Sequence, residues 1–114
     1  FDITEGPEGS LLCFGKSARE NDEIRSKWAS SNDWWFHISN QKSAHVFLKV
    51  GSKKKKPSLN QINFIASVFF KNHRINESKI ELVYTQVKYV RSVPGETGRV
   101  TFKKGQYIII SNTF

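Results

Sequence analysis

The alternation in WWFHI and AHVFLKV, between positions 34 and 50, is the strongest constraint in this sequence. Side chains on a strand point to opposite faces with a period of two, so Phe36 and Ile38 share a face with Val46, Leu48 and Val50 across an antiparallel pair. The polar stretch 39–44 joins the two runs as a hairpin. The apolar face predicts the core side, with Trp34 and Phe36 in the core. By the same period Trp35, His37, His45, Phe47 and Lys49 share the other face. Two aromatics, two histidines and a lysine suggest a surface that touches something other than water.

Around this hairpin the chain alternates in kind. LLCFGK, 11–16, reads as a short buried strand after the turn-forming GPEG. Ser17-Ala18-Arg19-Glu20 has the form of a capping box and predicts a helix over 18–29, with Ile24 and Trp28 as a narrow inward stripe. A second capping box, Ser58 to Gln61, opens a helix to about residue 72, with Leu59, Ile62, Ile65, Ala66 and Phe69 on its buried stripe. KIELVYT, VKYVRSV, GRVTF and YIIIS then read as four strands, parted by turns at Pro94-Gly95 and Lys104-Gly105. The order predicts a single α+β domain over residues 1–114, a mostly antiparallel sheet with two helices packed on it.

Charge narrows the partners. The net +8 is divided unevenly: residues 1–33 hold seven acids and four bases, whereas 34–114 hold fourteen bases and three acids. Such a surface favours polyanions, nucleic acid before an anionic membrane. Lys53, Lys54, Lys55 and Lys56 form a basic loop, GSKKKKPS, that adds to this field. No apolar run is long enough to span a membrane, and FDITEGPEGS lacks the order of a secretory signal. One cysteine, Cys13, cannot form an internal disulfide and sits in an apolar run, which suggests a buried thiol and a reducing, cytoplasmic setting.

Catalytic and metal motifs are sparse. His37, His45 and His73 lack HExxH, CxxC or DxD spacing, and neither GxGxxG nor GxxxxGK[ST] occurs. No metal or cofactor is expected. His37 and His45 could face each other across the hairpin as an acid and base pair, so a small RNA-processing or RNA-modifying enzyme is one alternative.

Three motifs in order carry a resemblance: Gly15-Lys16-Ser17-Ala18-Arg19-Glu20-Asn21-Asp22, Asn32-Asp33-Trp34-Trp35-Phe36-His37, and Ser43-Ala44-His45-Val46. With Glu81-Leu82-Val83-Tyr84, Lys88 and Pro94-Gly95-Glu96-Thr97-Gly98-Arg99-Val100, the chain resembles the NFACT-R domain, in a stand-alone form. Most members have Gly-Ser-His where this chain has Ser43-Ala44-His45. The resemblance implies a non-enzymatic RNA-binding module associated with stalled large ribosomal subunits and tRNA, and so with ribosome quality control. It transfers the family signature to Asn21, Asp22, Asp33, Trp35, His37 and His45.

From these readings we expect binding of rRNA or tRNA, on the ribosome or off it. Trp35 and Phe47 are expected to stack on bases, and His37 and His45 to contact phosphate or base edges. Lys16, Arg19, Lys49 and the four loop lysines supply the field, while Asn21, Asp22 and Asp33 hold structure. DNA binding and a protein-interaction adaptor are the remaining alternatives.

Overall fold

The computed structural model describes residues 1–51 and 55–113. The expected hairpin forms from β3 (Trp34–Ile38) and β4 (Val46–Lys49), with Trp34 opposite Leu48, Trp35 opposite Phe47 and Phe36 opposite Val46. On the β4 side the sheet continues through β2 (Leu11–Phe14) to an edge strand, β1 (Ile3–Glu5). Beyond β3 lie β5 (Lys79–Gln86) and the other edge, β8 (Gln106–Ser111). The order β1-β2-β4-β3-β5-β8 is antiparallel at every pairing, so the α+β architecture is as the sequence implies. β1 carries no apolar pattern because all three of its residues are exposed, and its ladder to β2 alone defines it.

Helix α2 (Leu59–Asn72) lies on the face formed by Phe36, Ile38, Val46 and Leu48. Its capping box is complete: Ser58 Oγ accepts the Gln61 amide at 3.1 Å and Gln61 Oε1 accepts the Ser58 amide at 2.9 Å. Gln61 is also buried, and its Nε2 donates to the Val50 carbonyl at 3.2 Å, which fastens the helix start to the strand end. Leu59, expected in the buried stripe, is 62% exposed. It occupies the first helical position, before the helix axis has brought its face over the sheet.

The opposite face departs most from expectation. The first helix, α1 (Ala18–Glu23), is shorter than 18–29 and passes into one π-helical turn, Ile24–Trp28, closed by the Ala29 amide donating to the Ile24 carbonyl at 2.9 Å. The segment VKYVRSV is a 3₁₀ turn, Val87–Tyr89, and then a strand, β6 (Val90–Val93), which pairs with β7 (Glu96–Phe102) in a separate hairpin. Helix, π turn and hairpin together cover Cys13, Trp35, Phe47 and Val83, and bury Ile24 and Val90 against them. Trp35 is 1% exposed and Phe47 0%, so the expectation that they stack on bases is corrected. Alternation marks one core face only when the other face meets solvent; here both faces are cores.

Candidate functional site

The site is built where β2 ends and β4 begins. Gly15 follows β2 and donates its amide to the His45 carbonyl at 2.9 Å, while Asn21 on α1 accepts the His45 amide through Oδ1 at 3.4 Å. A Cβ on Gly15 would lie 1.7 Å from that Oδ1, so only glycine admits the buried Asn21 side chain. Next to it Asp22 accepts the Gly98 amide at 2.9 Å, tying α1 to the β6–β7 hairpin. Gly98 sits at φ 79°, and a Cβ there would come within 2.5 Å of the Ala18 Cβ. Ser17 caps the helix by accepting the Glu20 amide at 3.1 Å, and Glu20 Oε1 accepts the Lys16 amide at 3.0 Å, one residue before the cap position.

This frame fixes His45. Its Nδ1 accepts the Trp35 indole Nε1–H at 3.1 Å, an assignment that leaves the ring proton on Nε2. His37 stacks on Trp35, ring centroids 5.7 Å apart, and meets His45 edge-on at 5.2 Å. Burial, together with the nearby His37 and Arg25 and against the opposing charge of Asp22, pushes the His45 pKa down to about 3. Burial also lowers His37, with His73 adding to the effect and the Ile38 backbone opposing it. Both rings are neutral near pH 7. An acid and base pair titrating near neutrality is therefore corrected to a pair of uncharged hydrogen-bonding groups.

A cleft of about 680 Å³ opens over these rings. It brings together four of the residues expected to bind, Lys16, Trp35, His37 and His45. It also holds Lys42, His73 and Arg99, which strand periodicity could not supply because they come from a loop, a helix end and the separate hairpin. His73 Nε2 accepts the Ala44 amide at 3.1 Å and its ring stacks on Phe69. Arg99 is paired with Glu96 at 2.8 Å. Among the described residues no group of three His, Cys, Asp or Glu side chains could hold a metal ion.

Other expected contacts lie elsewhere. Phe47 is core, and Lys49 is engaged by Asp33 and lies 4.5 Å over the Trp28 ring. Asp33 also accepts the Ser30 amide at 2.7 Å, and so closes the loop before β3. Arg19 is exposed and paired with Glu23 at 3.6 Å. Lys53 and Lys54 lie outside the described residues; Lys55 and Lys56 are exposed near the far end of β3. Among the described residues no helix is long and apolar enough to cross a membrane.

Residues 1–108 match a family described as "NFACT protein RNA binding domain". A curated relative, the Rqc2 homolog RqcH of Bacillus subtilis (strain 168), is 23% identical over 112 residues, which cover 97% of this chain and 19% of the relative. The chain thus spans about a fifth of that relative's length. Among solved structures, the C-terminal part of the fibronectin/fibrinogen-binding protein from Streptococcus suis superposes with a TM-score of 0.80 at 19% identity, covering 96% of this chain and 44% of that one.

Proposed function

This chain belongs to the family of NFACT protein RNA binding domains, and on that premise we propose that it binds RNA non-enzymatically through the histidine cleft. The observation that carries the reading is the Trp35 to His45 bond, which holds a neutral imidazole with its Nε2–H as a donor toward the cleft. A neutral donor in this cleft matches the acceptors of RNA: phosphate oxygens, base carbonyls and 2′-hydroxyls. Exposed Lys16 and Lys42 at the rim add charge attraction without selecting a sequence. The family and the likeness to RqcH support RNA binding in ribosome quality control; rRNA or tRNA as the RNA and the cytoplasm as the setting are part of the proposal. A catalytic role for His37 and His45 has less support, because burial takes the His45 pKa to about 3, far from neutral pH, and lowers His37 as well.

The test is His45→Asn, whose Oδ1 can replace Nδ1 as the acceptor for Trp35 while the Nε2–H is lost. RNA affinity measured by fluorescence anisotropy should fall about tenfold, with the slope of log K against log salt unchanged, since no charge is removed. Unchanged affinity in a folded His45→Asn protein overturns the proposed site. A DNA oligonucleotide of the same sequence, run alongside, shows how much of the affinity depends on the 2′-hydroxyl.

A further inference from the structure

A second cleft, of about 560 Å³, lies at the end of the sheet where β3 begins and β5 finishes. The adjacent tryptophans divide between the two: Trp35 lines the histidine cleft and Trp34 lines this one. Its chemistry differs. Lys55, Lys56 and Lys104 line it, and among the described lining residues none is acidic, whereas Glu96 lines the first. Its volume suits a mononucleotide, within the roughly 300–1,000 Å³ usual for small-molecule sites.

The cations are placed rather than scattered. Lys104 lies 4.8 Å over the Tyr89 ring and Lys88 lies 5.5 Å from the same ring, with its Nζ also 3.2 Å from Asn32 Oδ1. Lys104 holds a left-handed backbone at φ 57°, a conformation usual for glycine or asparagine, and Gly105 follows it. Trp34 Nε1 donates to the Lys55 carbonyl at 3.2 Å, anchoring the end of the basic loop at the cleft. The amide side chains of Asn32, Gln86 and Gln106 complete the lining with donors and acceptors of the kind that read base edges.

We propose that this second cleft binds a nucleotide phosphate through Lys55, Lys56 and Lys104, with the amide side chains meeting the base. The inference rests on the RNA-binding reading for one point only, that the nucleotide is presented by an RNA strand.

The experiment follows the Trp34 and Trp35 indole N–H signals of the whole chain by NMR, on addition of short single-stranded RNA and, separately, of adenosine monophosphate. RNA is expected to shift both signals. The triple variant Lys55→Gln, Lys56→Gln, Lys104→Gln should lose the Trp34 response and keep that of Trp35. Its RNA affinity at low salt should fall about tenfold and its salt slope by up to about 2, at roughly 0.7 for each phosphate contact to a single strand. If RNA moves Trp34 alone, the second cleft stands and the histidine site falls. If adenosine monophosphate moves Trp34 with the same lysine dependence and RNA does not, the phosphate site stands with a free nucleotide as its source. If neither probe moves Trp34, or the triple variant responds as the parent does, the inference is overturned whatever becomes of Trp35.

Discussion

The two faces of the central sheet are built from alternate residues of the same strands, yet they differ in kind. Under α2 the core is mostly apolar, with Phe36, Ile38, Val46 and Leu48 meeting Ile62, Ile65, Ala66 and Phe69, and the buried amide of Gln61 at the helix start. Under α1 and the β6–β7 hairpin a smaller cluster around Trp35, Phe47 and Ile24 grades into buried polar groups: Asn21, His45 and Thr85. Apolar contacts make the first face stable and tolerant of small changes in detail. On the second, each polar group needs its partner, because an unmatched donor or acceptor in a core costs about 1–3 kcal/mol. The site lies on the face where hydrogen bonds, more than volume, fix the side chains.

Substitutions and pH should separate the faces. Phe36→Ala, on the α2 face, should cost about 3–5 kcal/mol in chemical denaturation, a large share of the roughly 5–15 kcal/mol usual for a domain, with no added sensitivity to pH. Acid should act through the other face. The folded pKa of His45 is about 3, below the unfolded value near 6.5, so between these limits the unfolded chain binds the extra proton. The contribution of His45 is whole above pH 6.5 and is lost as the pH falls, at up to about 1.4 kcal/mol per pH unit, or about 2 kcal/mol by pH 5. His37 shifts the same way and adds to the loss. Denaturation midpoints of the parent and of His45→Asn, measured from pH 7 to pH 5, should converge toward acid; parallel curves would show that His45 is not buried neutral.

Trp35→Phe keeps most of the packing and removes the donor to His45 Nδ1, so about 1–2 kcal/mol of stability should go and the imidazole resonances should report a change of tautomer. A larger loss would mean that volume matters on this face as much as on the other. Leu59→Gln should change stability by less than about 0.5 kcal/mol, since that side chain is mostly exposed despite its place in the apolar pattern.

How far the sequence reveals all this depends on the range of the signal. The hairpin at 34–50, both caps and the helix from residue 59 are set by neighbours a few positions apart, and each is legible. The burial of Trp35 and Phe47 is set by Val90 and Val100, more than forty positions away, and no local pattern carries it. Periodicity put His37 and His45 on one face correctly and took that face for surface. His73 reaches the cleft only because α2 ends beside the 39–44 loop, where it meets the Ala44 amide. The family motifs found Asn21 and Asp22, whose hydrogen bonds to His45 and Gly98 show why that dipeptide stands where it does.

The β6–β7 hairpin is an excursion between two strands that pair directly with each other, from Lys79 opposite Ser111 to Tyr84 opposite Gln106. It can therefore lift from the sheet without breaking a rung of the β5–β8 ladder. Its attachments include the Gly98 amide to Asp22, the Thr85 hydroxyl to the Lys103 carbonyl, the Phe102 ring against Trp35, and Val90 and Val100 packed on the Trp35 and Phe47 cluster. Because these attachments are separate from the β5–β8 ladder, hydrogen exchange is expected to be faster in the hairpin than in the sheet. The amide protection of residues 90–102, not that of the sheet, measures how firmly Trp35 and His45 are kept from water.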